Sequence, residues 1–180
     1  MTSDRVVDEV ISSFCCDKDR DIQHFLCNNA IRFEKSGKSK TYFLFSEERL
    51  AERKFALLAY FSVALQVLKV AGLDLSNRKI KELDGFSAKR SGETLTEFPV
   101  YLIGQLSKND THKDDITGKT IIDHAMSVIS AAQEKVGGRI VLVECNNEPH
   151  LLNFYTANGF TDIRQDKDKH MQMIRMLGAG

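Results

Sequence analysis

The stretch D-D-I-T-G-K-T, Asp114–Thr120, follows an apolar run and opens a helical pattern. A loop that enters a helix N-terminus at the carboxyl end of a strand is a ready anion site. Its first backbone N–H groups have no partner inside the helix, and the helix dipole favours negative charge there. T-G-K-T also ends a Walker A pattern. That pattern needs a glycine five residues before Gly118, where Lys113 stands, which argues against a nucleoside-triphosphatase loop. The remaining reactive side chains read blandly by themselves. His24, His112, His124, His150 and His170 do not cluster, and no spacing suggests a metal site. His112 lies in the loop, within reach of a phosphate or simply solvated. Cys15, Cys16, Cys27 and Cys145 contain no C-x-x-C pair. Cys145 ends a strand with no base identified beside it, so it reads as a buried, inert thiol. From periodicity alone Tyr155 is a core aromatic of an amphipathic helix.

The elements that must position these residues follow from periodicity. Residues 18–36 read as a helix, with Ile22, Phe25, Leu26, Ala30 and Phe33 at helical spacing and Gly37 as a stop. Lys35, Lys38 and Lys40 then form a solvated helix end. T-Y-F-L-F-S (41–46) reads as a strand, E-E-R-L-A-E-R-K as a charged turn, and 54–65 as a second strand continuing to Val70 with a kink. These two strands make a hairpin. Residues 71–97 are polar and mixed, with one short helix at N-R-K-I-K-E-L-D-G-F. Strand 98–107 is buried on both faces in its first half, with Pro99 at its start. A polar loop leads into helix 119–136, ended by Gly137 and Gly138. Strand 139–145 follows, then a short helix capped by Asn147, with Pro149 in its first turn and Gly159 closing it. The chain ends in a hairpin, T-D-I-R against H-M-Q-M-I-R-M-L, around a charged turn. The expected fold is α/β with a mixed, mostly antiparallel sheet flanked by helices. Strands 98–107 and 139–145 are its one parallel pair, joined through helix 119–136.

Composition narrows the class. The chain has 180 residues, 25 basic and 25 acidic side chains, and zero formal charge, which fits one domain over 1–180. A hydrophobic fraction of 42% is that of a globular protein rather than a disordered one. Neutral balance argues against a global field for nucleic acid or an anionic membrane. The apolar stretch from Phe55 to Val70 is too short and too polar for a membrane span. Charged residues at Asp4, Arg5, Asp8 and Glu9 leave no signal peptide, so the expected location is cytoplasmic with reduced thiols. The methionine-bearing last strand, 170–177, reads either as an edge open to a homodimer or as core.

Together, F-P-V-Y-L-I-G-Q-L-S, the loop, G-K-T-I-I, R-I-V-L-V-E-C, L-L-N-F-Y-T-A-N-G-F and H-M-Q-M-I-R-M-L resemble the GNAT acyl-CoA N-acyltransferase superfamily. The N-terminal D-R-D-I-Q-H-F-L-C-N-N-A-I-R-F-E-K-S-G-K-S-K-T-Y-F-L-F is similar to a branch that includes toxin-type acetyltransferases. F-Y-x-x-x-G-F, with Phe154, Tyr155, Gly159 and Phe160, is the most specific element. The resemblance implies an acetyl-CoA-dependent N-acetyltransferase with no metal, moving the acetyl group directly to a primary amine in a ternary complex. It implies a pyrophosphate loop at Lys113, Asp114, Ile116, Thr117, Gly118, Lys119 and Thr120. Here the family's Q/R-x-x-G-x-G/A departs, because Lys113 replaces the first residue and Ile116 the first glycine. It implies pairing of the pantetheine arm with Gln105, Leu106, Ser107 and Lys108, an oxyanion donor near Leu106, and coenzyme contacts from Asn146, Asn153 and Phe154. Tyr155 would protonate the leaving thiolate. Glu144 is the nearest candidate base, or else a structural acceptor. The acceptor is an unidentified amine; neutral charge tilts it toward a small or protein amine, with aminoacyl-tRNA and a non-catalytic acyl-CoA-binding module as alternatives. Specificity is expected in 71–97.

Overall fold

The computed structural model describes residues 3–52, 54–165 and 170–178, with side chains described except at 3–5 and 165. The helices are α1 (Ser3–Ser12), α2 (Arg20–His24), α3 (Ala30–Lys35), α4 (Glu47–Ala51), α5 (Asn77–Asp84), α6 (Gly118–Val136) and α7 (Pro149–Ala157). The strands are β1 (Lys40–Phe45), β2 (Leu57–Lys69), β3 (Lys89–Arg90), β4 (Glu93–Thr94), β5 (Glu97–Lys108), β6 (Ile140–Cys145), β7 (Thr161–Gln165) and β8 (Met171–Met176). Six strands form one sheet in the order β1-β2-β5-β6-β8-β7, mostly antiparallel. The one parallel ladder runs from Tyr101↔Val141 to Ile103↔Val143. The mixed α/β class and the parallel pair are as the sequence implies. By contacts the chain forms two compact units, Met1–Ala64 with Gly104–Ser127, and Leu65–Ile103 with Val128–Gly180.

The first unit is organised around Phe14 and Tyr60. Val10, Ile11 and Phe14, at helical spacing, bury against Leu26, Ala30, Leu57 and Tyr60. Phe14 meets the Tyr60 ring edge-on at 5.0 Å. Helix α1 is absent from the sequence reading, although Val7, Val10, Ile11 and Phe14 mark one helical face. The helix expected at 18–36 is present but not uniform. Asp19 caps α2 by accepting from the N–H groups of Asp21 and Ile22. A π-helical turn, Phe25–Asn29, then separates α2 from α3. Tyr60 explains the interruption: its hydroxyl donates to the Ile22 carbonyl at 2.6 Å, and a side chain inserted into the ladder displaces its register. The β1–β2 hairpin is antiparallel, Lys40↔Val63 to Phe45↔Leu57, with an irregularity at Leu44/Phe45. The expected charged turn contains α4, capped by Ser46.

In the second unit Leu68, Val70, Ile80, Leu83, Phe98, Val100, Ile140, Leu142 and Ile174 form the core. Residues 71–97 hold α5 and the β3–β4 hairpin, which turns at Ser91 and Gly92 with positive φ. Gly138 is required by contact: a Cβ there would lie 2.6 Å from the Tyr101 ring. Tyr101 donates to the Gly137 carbonyl in the same turn. Two expectations are corrected. Asn147 is not the cap of α7; Glu148 is, through its backbone and with no side-chain bond. Strand β8 is not an edge, because it lies between β6 and β7. Its three central residues, Gln172, Met173 and Ile174, are all buried, so the methionine argument for a dimer edge falls. The expected turn beyond Gln165 lies outside the described residues.

Candidate active site

The implied site residues form two sets, one in each unit. In the first, β5 ends at Lys108, a 3-10 turn spans Asp110–His112, and α6 starts at Gly118. Thr117 caps α6: its Oγ1 accepts from the Thr120 N–H at 3.0 Å, and its carbonyl accepts from the Ile121 N–H. The N–H groups of Gly118 and Lys119 have no partner among the described residues. They are the free donors that an anion at this helix end would use. The surrounding side chains are largely committed. Lys108 Nζ donates to the Lys113 carbonyl at 2.9 Å and braces the loop from the strand end. His112 Nδ1 holds Asp115 at 3.0 Å. The Lys119 ammonium pairs with Asp123, one turn up the exposed face. Asp114 is exposed and Ile116 half-buried. Gln105 and Ser107 share a strand face: Gln105 Oε1 lies 3.5 Å from the Tyr60 hydroxyl, and Ser107 Oγ lies 3.5 Å from Cys16 Sγ. Any coenzyme contact of β5 therefore falls on its backbone and on the opposite face, that of Leu106 and Lys108.

Asn109, between strand and loop, went unrecognised in the sequence. It is 1% exposed, yet every side-chain polar position is used. Its amide donates to the carbonyls of Ser13 and Leu57, and its oxygen accepts from the N–H groups of Cys15 and Thr111. The bond to Thr111 is an Asx turn, so N-D-T after a strand was the available signal. The next residue, Asp110, accepts from the Asp17 N–H at 2.7 Å. Cys15, Asp17 and Asp110 thereby gather ligand-type atoms within 4.8 Å of one another. Their mutual hydrogen bonds account for the grouping, and Cys15 donating to Asp17 lifts its thiol above the ordinary value.

The second set surrounds Tyr155, 8% exposed on α7. The helix ends through Gly159 at φ +81°. The Phe160 N–H returns to the Tyr155 carbonyl at 3.1 Å, and the Gly159 N–H to that of Thr156. This left-handed closure folds Phe160 back onto the Tyr155 ring, centroids 5.6 Å apart. The F-Y-x-x-x-G-F pattern is thus the covalent form of a clamp on one phenol. The phenolic hydroxyl makes no hydrogen bond among the described residues. Burial, with Cys145 nearby, raises the phenol well above its ordinary value. Cys145 is itself buried and its thiol raised. Glu144 accepts from Gln172 Nε2 at 2.6 Å, and Gln172 accepts from Arg164 at 2.6 Å. That cross-strand chain favours the structural-acceptor role for Glu144. Asn146 and Asn153 are exposed.

The sheet order, the single parallel pair and the β-α-β crossover with its open helix end define the GNAT fold. Solved structures that share it include a bacterial toxin and the AtaT toxin. AtaT complexed with acetyl-methionyl-tRNAfMet aligns over 90% of this chain and 85% of its own, with TM-score 0.67 and 20% identity. AtaTR bound with AcCoA aligns over 95% and 89%, with TM-score 0.68 and 19% identity. A tyrosine-to-phenylalanine mutant of KacT aligns over 91% and 85%, with TM-score 0.68 and 19% identity. These identities show a shared fold. No family model matches the sequence, and no curated protein matches it. No helix among the described residues is long and apolar enough to cross a membrane.

Proposed function

We propose that residues 1–180 act as one acetyl-CoA-dependent N-acetyltransferase domain of the toxin type, whose acceptor is the α-amine of an aminoacyl-tRNA. The observation that carries the reading is the likeness over nine-tenths of the chain to solved structures of AtaT complexed with acetyl-methionyl-tRNAfMet and of AtaTR bound with AcCoA. The chain's own residues fit the coenzyme. Gly118 and Lys119 offer two free N–H groups to its pyrophosphate, and the backbone of Gln105–Lys108 offers a ladder to its pantetheine arm. In the reaction the amine nitrogen bonds to the acetyl carbon as the carbon–sulfur bond breaks. The Leu106 N–H stabilises the carbonyl oxygen. Tyr155 gives its proton to the departing sulfur and regains one from solvent; water takes the amine proton.

Neutral net charge favours the rival acceptor, a small or protein amine. Charge is unevenly spread, however: residues 31–40 carry Arg32, Lys35, Lys38 and Lys40 against Glu34 alone. Lys40 spends its charge on Glu34, while Arg32 and Lys35 line a groove with Cys27 and Asn28. A neutral chain thus still offers phosphates a basic face. Incubation with acetyl-CoA and either aminoacylated tRNA or a panel of free amines decides. Acetylated aminoacyl-adenosine after nuclease digestion supports the reading. Thiol release with small amines alone moves the acceptor to the rival. Coenzyme binding without turnover of either leaves a non-catalytic module.

A further inference from the structure

The first unit contains a cavity of about 350 Å³ between α4, the segment leading into β2 and the 3-10 turn, at the small end of ligand pockets. Arg49, Glu52, Lys54, Phe55, Thr111 and His112 carry its chemistry. Most of their charge is already matched. Lys54 bonds Glu52 at 2.9 Å, and His112 holds Asp115. Arg49 differs: its guanidinium has no hydrogen bond or ion pair among the described residues, and the Thr111 hydroxyl is likewise unspent. Among the described residues that line the cavity, Arg49 is the cation left without a partner. Phe55 is 58% exposed, a large apolar ring left in water, and is backed by Phe45 at 6.1 Å.

A flat aromatic face beside a free guanidinium matches a ligand with a planar base at one end and a phosphate at the other. Bases stack on such rings whatever their sequence. A guanidinium fork grips phosphate oxygens in pairs. We propose that this cavity binds one nucleoside monophosphate unit, its base on Phe55 and its phosphate on Arg49, either as a free nucleotide or as the end of a single strand. Thr111 lines the same cavity, and the Lys54–Glu52 pair leaves the phosphate to Arg49. The inference rests on this cavity alone and holds whether or not the chain transfers acetyl groups.

Calorimetric titration of the full chain, with coenzyme A saturating, tests it with AMP, an adenylate trinucleotide and ribose 5-phosphate. One saturable AMP site is expected, weakened about 10-fold or more by Arg49→Gln and by Phe55→Ala, with ribose 5-phosphate much weaker. The Phe55 ring protons should shift on AMP addition, a readout that needs no variant. Equal affinity for AMP and the trinucleotide makes the free nucleotide the source; much tighter trinucleotide binding makes it the strand. Absence of saturable binding by either probe, unshifted Phe55 protons, or displacement of AMP by coenzyme A overturns the proposal. So does affinity unchanged in both folded variants.

Discussion

Two of the strand-to-helix junctions, β5 to α6 and β6 to α7, differ in what they leave open. From β5 to α6 the chain takes nine residues, Asn109–Thr117, and pins them with Asn109, Lys108 and His112. The helix then begins with two N–H groups unspent. From β6 to α7 it takes three residues, and the helix begins with a proline, which has no N–H to offer. The first junction presents backbone donors; the second presents a side chain, Tyr155, held by its own helix end. The proposed anion site and the proposed acid thus follow from opposite local solutions to one problem, how to enter a helix.

That contrast can be broken at either junction. Tyr155→Phe removes the proposed acid's hydroxyl and nothing else, so turnover should fall about 10²–10³-fold, as loss of a general acid does. Coenzyme affinity from equilibrium titration should stay unchanged; a loss of binding instead would make the phenol a coenzyme contact. Asn109→Ala leaves several buried backbone groups unpaired and should cost about 3 kcal/mol in denaturant unfolding. Gly118→Pro is the sharper cut at the first junction. Proline is tolerated at the first helical position, so stability should hold while one free donor disappears. The charge-assisted bond it would make is worth roughly 1.5–3 kcal/mol, so coenzyme affinity should drop about 10-fold or more. Unchanged affinity would take the phosphate away from this helix end.

Alkaline pH reads the buried phenols. Burial raises both Tyr60 and Tyr155. Above the unfolded value, about pH 10, the unfolded chain loses these protons while the folded chain keeps them. Stability is therefore intact below about pH 10 and falls above it by up to roughly 1.4 kcal/mol per pH unit per phenol. Unfolding curves at pH 9, 10 and 11 should show the decline, and Tyr60→Phe should flatten it. Lys119→Ala should be the smallest change. Its exposed pair with Asp123 is worth no more than about 0.5 kcal/mol, and the backbone donor at that position survives.

Local pattern carried much of this into the sequence. The hairpin, the parallel pair and α6 follow from runs whose period is set by one face, and F-Y-x-x-x-G-F announces Tyr155 because its clamp closes within six residues. What stayed hidden depends on distant partners. The π turn in the first long helix exists because Tyr60 reaches Ile22, and no residue within the helix signals it. The cap of α7 passed from Asn147 to Glu148 because Pro149 fixes where the helix begins, and a backbone cap leaves no mark on side-chain choice. The order of β6, β8 and β7 is likewise a pairing choice that the composition of β8 does not encode.

Asn109 has a consequence in time. Its partners Ser13, Cys15 and Leu57 precede it by 96, 94 and 52 positions. At roughly 5–20 residues per second of synthesis, the N-terminal carbonyls wait in water for several seconds before the side chain that pairs them is made. The loop carrying the two free donors is synthesised just behind that side chain. A nascent chain therefore acquires the helix end proposed to bind an anion and the anchor of that end almost together, and a fragment that begins after Cys15 keeps Asn109 without two of its partners.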